Sequence, residues 1–357
     1  MPVYLVFLDV TKAYDKAWSD GIMYAMHNNG VTGPLWNMIR KMNQNLTARI
    51  KTKDGMTRPI QIKDSIRQGG VLSVIQYALL MDEIAKEIKN ENYGCQLNDN
   101  NEKIGCLLWM DDVVLISDNP KELQKMLDIT YRIAGKYHIE FGEEKSKAMT
   151  IGTRKKPDLH LGDMKLEHVT NYKYLGELLD DKMKLETHLD KVRTKTEGTY
   201  QMILSLAYDP YFNDIEMETI WELVETCVIS VITYGAETWK PTPKETEQAN
   251  RILDNIIKRI LMTPRSTPRE PLYIETGLLD IEHTIRKNRH GMYHRIHQTQ
   301  NDLLGQILQL EGLSWKNYNN MTMFHDDLES DEILNLTKDI AKKTYQTSYK
   351  RKFPNTN

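Results

Sequence analysis

Cysteine is scarce in this chain of 357 residues. The three cysteines, Cys95, Cys106 and Cys227, are widely spaced and odd in number, so the sequence contains neither a disulfide framework nor a zinc-ligand pattern. This usage is typical of a reducing compartment. We therefore predict an intracellular protein, in the nucleus or the cytoplasm.

Long hydrophobic runs and an excess of one charge sign are also absent. The apolar run from Val3 to Val10 is too short to span a bilayer, lacks a basic flank and contains Asp9, so neither a signal peptide nor a membrane helix is indicated. Lys and Arg number 47 against 50 Asp and Glu, a net charge of −3. The total gives no global signature of nucleic-acid binding, although it is compatible with a local basic groove.

An adjacent pair of carboxylates lies between two apolar runs in the segment Cys106–Ile116. This pattern predicts a hairpin whose tight turn carries Asp111 and Asp112. Neighbouring anions between buried strands repel each other and lose hydration, so a fold that keeps them usually supplies a cation, and Mg²⁺ prefers carboxylate oxygens. Taken alone, the stretch favours the simpler interpretation of a solvated hairpin tip.

A third carboxylate strengthens the metal interpretation. Asp9 lies at the end of the near-continuous apolar run Val3–Val10, a pattern typical of a strand buried on both faces. Packing gives no reason for an acid at that position. If the two segments are neighbours in one sheet, Asp9 and Asp111 can face the same pocket and hold two metal ions about 3.5–4 Å apart, as in nucleotidyl transfer.

Five ordered segments resemble motifs A to E of a reverse transcriptase of the non-LTR, LINE-type retrotransposons. They are Phe7–Lys16 (FLDVTKAYDK), Arg67–Ser73 (RQGGVLS), Trp109–Asp112 (WMDD), Phe141–Lys147 (FGEEKSK) and Tyr172–Gly176 (YKYLG). A further segment, Ile232–Trp239 (ITYGAETW), is similar to the region that follows the polymerase in such elements. The five motifs together cover about the first half of the chain.

The resemblance implies an α+β fold: a polymerase palm with an antiparallel sheet in βαββαβ order, a small thumb and an all-helical C-terminal region. We predict the palm at residues 1–153, the primer grip and thumb at 154–210, and the helical region at 211–357. The primer-grip segment is predicted as one short strand from Tyr172 to Leu178. A long thumb helix is predicted from about Leu185 to Leu206.

For the chemistry, the resemblance implies two Mg²⁺ ions, with Mn²⁺ as a substitute. Asp9 and Asp111 would bind both ions with the main-chain carbonyl of Val10, and Asp112 would support the site. One ion would lower the pKa of the primer 3′-hydroxyl, and the other would hold the triphosphate and stabilise the leaving pyrophosphate. Lys145 matches the motif D lysine that protonates or neutralises the leaving group.

The resemblance also implies where the nucleic acid and the nucleotide bind. Tyr14 corresponds to the aromatic gate that rejects a ribose 2′-hydroxyl, while Gln68 and Gly69 match the segment that contacts template and incoming nucleotide. The implied primer grip consists of Tyr174, Leu175 and Gly176. Without the resemblance, Tyr14 is an ordinary core aromatic and the glycines mark a flexible turn.

Three features depart from the family pattern. Val71 and Val74 stand where prolines are usual, which affects helix entry. Trp109-Met110 replaces a smaller pair, and overfilling a packed position there is expected to cost about 1–3 kcal/mol. Eight residues precede Asp9, so we expect a chain truncated before motif A, without the fingers that clamp the triphosphate and without an endonuclease.

One predicted helix, from Ile281 to Gln298, has two interpretations. His290 and His294 have the spacing of a metal-ligand pair. Basic residues surround them on the helix, whereas no carboxylate or thiolate partner lies nearby. A basic helix that faces nucleic acid is therefore favoured.

The sequence thus predicts an RNA-directed DNA polymerase of a retroelement, which adds nucleotides to a primer 3′ end. Its partners would be an RNA template, a DNA primer and dNTPs. The alternative is an inactive palm remnant that serves as a nucleic-acid or protein-binding module. A generic two-metal nuclease is disfavoured by the matches at Gln68-Gly69 and Tyr174–Gly176.

Overall fold

The computed structural model describes residues 2–62, 64–97, 102–208 and 215–298. The chain forms two compact units that divide between Tyr172 and Lys173. Strands and helices both occur, which confirms the predicted mixed α and β composition. The predicted helices at 303–310 and 331–345 lie outside the described residues.

The first unit combines one larger sheet with several two-residue strand pairs. Its described strands are β1 (Val3–Asp9), β2 (Thr47–Ala48), β3 (Lys51–Thr52), β4 (Gly55–Met56), β5 (Ile60–Gln61), β6 (Cys95–Gln96), β7 (Lys103–Ile104), β8 (Cys106–Trp109), β9 (Asp112–Ser117), β10 (Lys147–Ile151), β11 (His160–Leu161), β12 (Met164–Lys165) and β13 (Glu167–His168). Its described helices are α1 (Ser19–Asn28), α2 (Gly33–Asn43), α3 (Ser73–Asn90) and α4 (Pro120–Tyr137).

The larger sheet has the strand order β13-β10-β1-β9-β8. Its β1–β10, β1–β9 and β8–β9 pairs are antiparallel, whereas β10 and β13 run parallel. The predicted last strand, β10, is therefore not the edge of the sheet. Strand β1 lies in the middle and is buried along Tyr4–Leu8, as its near-continuous apolar run predicts.

The hairpin that carries the two adjacent aspartates differs from the prediction in register. Trp109 pairs with Asp112, so the turn consists of Met110 and Asp111, and Met110 has a left-handed φ of 57°. Asp112 is the first residue of β9 rather than a turn residue. The expected overfilling by Trp109 is also wrong, because its side chain is 61% exposed.

Helices cover one face of this sheet and form the first core. α3 contacts α1, α4 and β8, and α4 contacts β9. The apolar stripe of α4 packs inward through residues such as Leu123 and Leu127, which are fully buried. The helix begins where Asn119 accepts a hydrogen bond from the Lys121 N–H, with Pro120 in the first turn, and ends at left-handed His138. These contacts fix the strand ends that carry the aspartates.

The second unit is mainly helical in its described part. The hairpin β14 (Asn171–Tyr174) and β15 (Glu177–Asp180) begins at the division between the units. Its described helices are α5 (Glu186–Tyr208), α6 (Met217–Val224), α7 (Ser230–Ile232), α8 (Pro243–Ile260), α9 (Arg269–Thr276) and α10 (Ile281–Gln298), with one π-helical turn at Glu225–Ile229.

Two predictions in this unit are corrected. The single strand predicted from Tyr172 to Leu178 is two strands, because Leu175 and Gly176 form a tight turn with φ of 46° and 93°. In α10, predicted as a basic helix that faces nucleic acid, some of the basic side chains are instead buried. Arg289 and His290 are buried, and Arg289 donates to the main-chain carbonyls of Glu237 and Trp239.

No helix within the described ranges combines the length and the hydropathy needed to cross a bilayer.

Candidate active site

Asp9 is fixed by main-chain contacts at the end of β1. Its N–H donates to Ser146 Oγ (3.4 Å) and its carbonyl accepts from the Gly142 N–H (2.9 Å). Across the sheet Asp9 is the register partner of Asp112. Sequence reasoning did not assign Ser146 or Gly142, although both lie in the FGEEKSK segment that carries the motif D resemblance.

A cavity of about 580 Å³ opens beside Asp9. It is lined by Asp9, Val10, Thr11, Lys12, Ala13, Tyr14, Asp15, Gln68, Asp111, Gly142, Glu143, Glu144 and Lys145. Six predicted site residues are therefore brought together, and two carboxylates distant in sequence, Asp9 and Asp111, share one space. Five carboxylates and two lysines line it, a formal net charge of −3.

The electrostatics of this end of the sheet are repulsive. Burial, and then the charges of Asp111 and Asp9, raise the pKa of Asp112 above its ordinary value, with Lys145 acting in the opposite direction. Asp112 is only partly buried, so the effect is partly screened by solvent. A cation would relieve this repulsion.

Lys145 provides part of that relief. Its Nζ lies 3.3 Å from Asp9 Oδ1, and its side chain is mostly exposed. The Tyr172 hydroxyl donates to the main-chain carbonyl of Lys145 (3.0 Å), and the Tyr172 ring stacks on Phe7 of β1 at 4.1 Å. Burial, followed by the charges of Asp9 and Asp112, raises the pKa of Tyr172 to about 12. The sequence placed Tyr172 at the start of a strand and of the YKYLG segment, but it carried no signal for this contact with Lys145 and Phe7.

Two of the three residues predicted to contact nucleotide and template, Tyr14 and Gln68, line the same cavity. Tyr14 is half-buried, and its ring stacks on Tyr77 of α3 with centroids 5.3 Å apart. Gln68 lines the cavity, whereas Gly69 lies in the turn ahead of α3 with a φ of 77°. Because a Cβ on Gly69 would meet no atom within 4 Å, backbone conformation rather than space requires glycine there.

Tyr174, Leu175 and Gly176 belong to the second unit. They form the end of β14 and the following turn. The cavity described above is lined by residues of the first unit.

The donor set of the cavity fits a hard divalent cation chemically. Asp9 and Asp111 offer carboxylate oxygens, and the surplus negative charge would repel an anionic triphosphate unless cations neutralised it. In the part of the chain that the structure describes, however, no three His, Cys, Asp or Glu side chains lie close enough to hold a metal ion. The carboxylates share the cavity without forming a preassembled cluster.

Comparison with known families agrees with the sequence pattern. Residues 2–179 match the family described as reverse transcriptase (RNA-dependent DNA polymerase). Relatives include the Pol polyprotein of the type-1 retrotransposable element R2 of Popillia japonica, 23% identical over 300 residues, or 79% of this chain and 40% of that protein. The chain belongs to the reverse transcriptase family, and it is similar to proteins of non-LTR retroelements.

Two further relatives show the same similarity. The R2 polyprotein of Nasonia vitripennis is 31% identical over 35% of this chain and 12% of its own length. The RNA-directed DNA polymerase from mobile element jockey of Drosophila funebris is 23% identical over 52% of this chain and 20% of its own length. The chain thus spans less than half the length of the curated relatives it matches.

Solved structures of telomerase are also similar. The telomerase of Candida tropicalis in complex with a fragment of telomeric RNA is 14% identical, with 88% of this chain and 49% of that chain covered and a TM-score of 0.39. The telomerase of Candida albicans is 13% identical over 74% of this chain and 48% of that chain, with a TM-score of 0.38.

Proposed function

We propose that the chain is the polymerase part of an RNA-directed DNA polymerase, with nucleotidyl transfer in the Asp9–Asp111 cavity. One observation carries the proposal: Asp9 and Asp111, a hundred residues apart in sequence, line one cavity beside the Asp9–Asp112 strand pair. Paired carboxylates at adjoining strand ends suit a reaction that depends on positioning and charge neutralisation.

Asp9, Asp111 and the carbonyl of Val10 would hold divalent cations, with Mg²⁺ or Mn²⁺ as the ions that oxygen donors suit. Bound there, these ions would supply activation of the primer 3′-hydroxyl and charge stabilisation on the leaving pyrophosphate. Asp112 supports the site from the first position of β9. There it is the register partner of Asp9 across the sheet.

Lys145 is positioned for the leaving group. Its ammonium is mostly exposed and within 3.3 Å of Asp9, so it can reach a ligand in the same cavity. An ammonium there neutralises the growing negative charge on the pyrophosphate or donates a proton to it.

Tyr14 and Gln68 bind the incoming nucleotide and template in this proposal, with Gly69 shaping the turn. The Tyr14 ring is held by its stack on Tyr77, which makes it a rigid wall of the cavity. A rigid ring beside the sugar rejects a 2′-hydroxyl by steric exclusion. Such discrimination needs no hydrogen bond to the substrate.

The proposal extends to the predicted domains and partners. The palm would be residues 1–153, the primer grip and thumb 154–210, and the helical region 211–357. Tyr174, Leu175 and Gly176 would contact the primer strand, while an RNA template and dNTPs complete the substrates.

Primer extension tests the proposal. Purified chain is incubated with an RNA template, a labelled DNA primer, dNTPs and Mg²⁺, and compared with the double variant Asp111→Asn, Asp112→Asn. We expect extension by the wild type and a loss of at least about a thousandfold in the variant, because both substitutions remove charge at the reacting centre.

The matched control is Asp163→Asn, which removes one carboxylate from an exposed hairpin turn of the same unit. It should extend primers at the wild-type rate. A folded wild type that binds the primer–template but extends nothing would contradict the proposal and favour the inactive-remnant alternative.

A further inference from the structure

The turn between β14 and β15 has an unfavourable backbone. Leu175 and Gly176 are the two loop residues, with φ of 46° and 93°. A two-residue hairpin loop with both φ values positive is a type I′ turn, in which Asn-Gly is preferred. Leucine is costly in the left-handed region, so its conformation persists only where the surroundings hold it.

Residues 233–239, which we call the strap, contact this turn and stabilise its conformation. The Tyr234 hydroxyl donates to the main-chain carbonyl of Leu175 at 2.8 Å. The same ring lies over Gly176, where a Cβ would be 3.2 Å from Tyr234 Cε1. Tyr234 therefore contacts both loop residues of the turn.

A second attachment lies one residue beyond the turn. The Trp239 indole N–H donates to Glu177 Oε1 at 2.7 Å. Gly235 has a φ of 71°, and a Cβ on it would lie 1.9 Å from the same carboxylate oxygen. The strap thus packs its backbone directly against the Glu177 carboxylate, and the left-handed φ favours glycine at position 235.

The strap is itself anchored to the helices of the second unit. Thr233 Oγ1 donates to the Ile229 carbonyl (2.8 Å), and Arg289 of α10 donates to the carbonyls of Glu237 (3.2 Å) and Trp239. On the other side, the Trp239 ring meets His188 edge-on at 5.2 Å. A rigid base of this kind lets one hydroxyl fix a turn.

We propose that Tyr234 is a positioning residue, held by the strap, that keeps the Leu175-Gly176 turn in its left-handed form so that the turn can bind the primer backbone. This inference rests on the proposed function, because the primer is the ligand assigned to that turn. It also gives the ITYGAETW segment a role that its resemblance alone does not supply.

The test uses the full chain and the variant Tyr234→Phe, which keeps the ring and removes the hydroxyl. We expect the KM for primer–template to rise about three- to tenfold, the effect of one lost hydrogen bond, with kcat within about twofold. Amide hydrogen exchange at residues 174–178 should accelerate by a similar factor. The matched control is Tyr208→Phe, whose hydroxyl donates to the Ile260 carbonyl in the same unit, and which should change neither quantity.

A second variant tests whether faster exchange comes from the left-handed backbone of the turn or from a general loosening of the fold. Adding Leu175→Asn to Tyr234→Phe supplies a residue that tolerates the left-handed region, so exchange at 174–178 should slow toward the wild-type rate. Unchanged exchange in Tyr234→Phe overturns the inference. Faster exchange without a rise in primer KM overturns the role toward primer, and faster exchange that Asn does not slow overturns the backbone explanation.

The measurement of amide hydrogen exchange also tests this inference separately from the proposed function. A wild type that never extends a primer overturns the proposed function and the primer role with it. Unchanged exchange beside normal wild-type extension overturns only the role of Tyr234.

Discussion

The two units differ in how far their buried and half-buried carboxylates are compensated by basic groups. In the first unit, the cavity beside Asp9 has five carboxylates against two lysines. In the second unit, the buried carboxylate of Asp254 accepts from Arg269 (2.8 Å) and from the Tyr273 hydroxyl (2.8 Å). Arg269 also bonds Glu247 at 3.0 Å. One region keeps surplus charge, whereas the other compensates its charge internally.

This difference separates a structural cluster from a functional one. Although burial acts against it, the hydrogen bonds that Arg269 donates to Asp254 and Glu247 hold its pKa above the ordinary value, as expected for a satisfied ion pair. The pKa of Asp112 is raised, mainly by burial and then by the like charges of Asp111 and Asp9, as expected where carboxylates outnumber the basic groups around them. Removing a carboxylate should therefore have opposite effects on stability in the two units.

The largest expected effect is in the second unit. Asp254→Ala removes the carboxylate that accepts from Arg269 and Tyr273, so we expect the free energy of unfolding to fall by about 3 kcal/mol. Urea unfolding measures it. Arg251→Ala is the control, because Arg251 makes an exposed pair with Glu247 and should cost about 0.5 kcal/mol or less. Equal losses in the two variants would remove the contrast between internal compensation and surface pairing.

The next effect is the stabilisation expected from a divalent cation in the Asp9–Asp111 cavity. At a Mg²⁺ concentration about ten times its Kd, the free energy of unfolding of the wild type should rise by about 1.4 kcal/mol, because the ion binds only the folded cavity. The double variant Asp9→Asn, Asp111→Asn should show no such rise, whereas Asp163→Asn should behave as the wild type. Thermal unfolding with and without Mg²⁺ gives the comparison. If Mg²⁺ still raises the free energy of unfolding of the double variant, the ion binds at another site.

The sequence was sufficient for the parts of the fold that local patterns determine. Pro120 and the stripe of Leu123 and Leu127 predict α4 with the bounds that the structure has. Asp54-Gly55 predicts a hairpin, and the structure pairs β3 with β4 there. The shared cavity of Asp9 and Asp111 was also predictable, because both lie at ends of apolar strands that became neighbours.

The rest depended on tertiary contacts that leave no local signal. Leucine is unfavourable in a left-handed turn, so the sequence predicts one continuous strand across Leu175. The turn depends on the hydrogen bond from the Tyr234 hydroxyl to the Leu175 carbonyl, which the local sequence does not indicate. Likewise, the charge of Arg289 predicts an exposed side chain, yet its guanidinium is buried against main-chain carbonyls. Helix α9 was not predicted because its eight residues follow prolines and carry a weak apolar stripe.

The smallest predicted effect is opposite in sign to that of Asp254. Asp112→Asn removes a repulsive charge, so we expect the free energy of unfolding at neutral pH, without divalent ions, to rise by about 0.5 kcal/mol, since solvent screens a partly exposed group. Because the folded-state pKa of Asp112 is raised, its destabilising contribution is present above that pKa and is lost as the pH falls toward the ordinary value of 3.8.

The wild type should therefore approach the Asp112→Asn variant in stability as the pH falls toward 3.8. Urea unfolding of both proteins across this range measures the convergence, and Asp163→Asn corrects for the loss of one exposed charge. A variant that is less stable than the wild type at neutral pH would mean that Asp112 is compensated as Asp254 is. In that case the strand end beside the cavity would carry no uncompensated charge at Asp112, and the contrast between the two units would fail at that position.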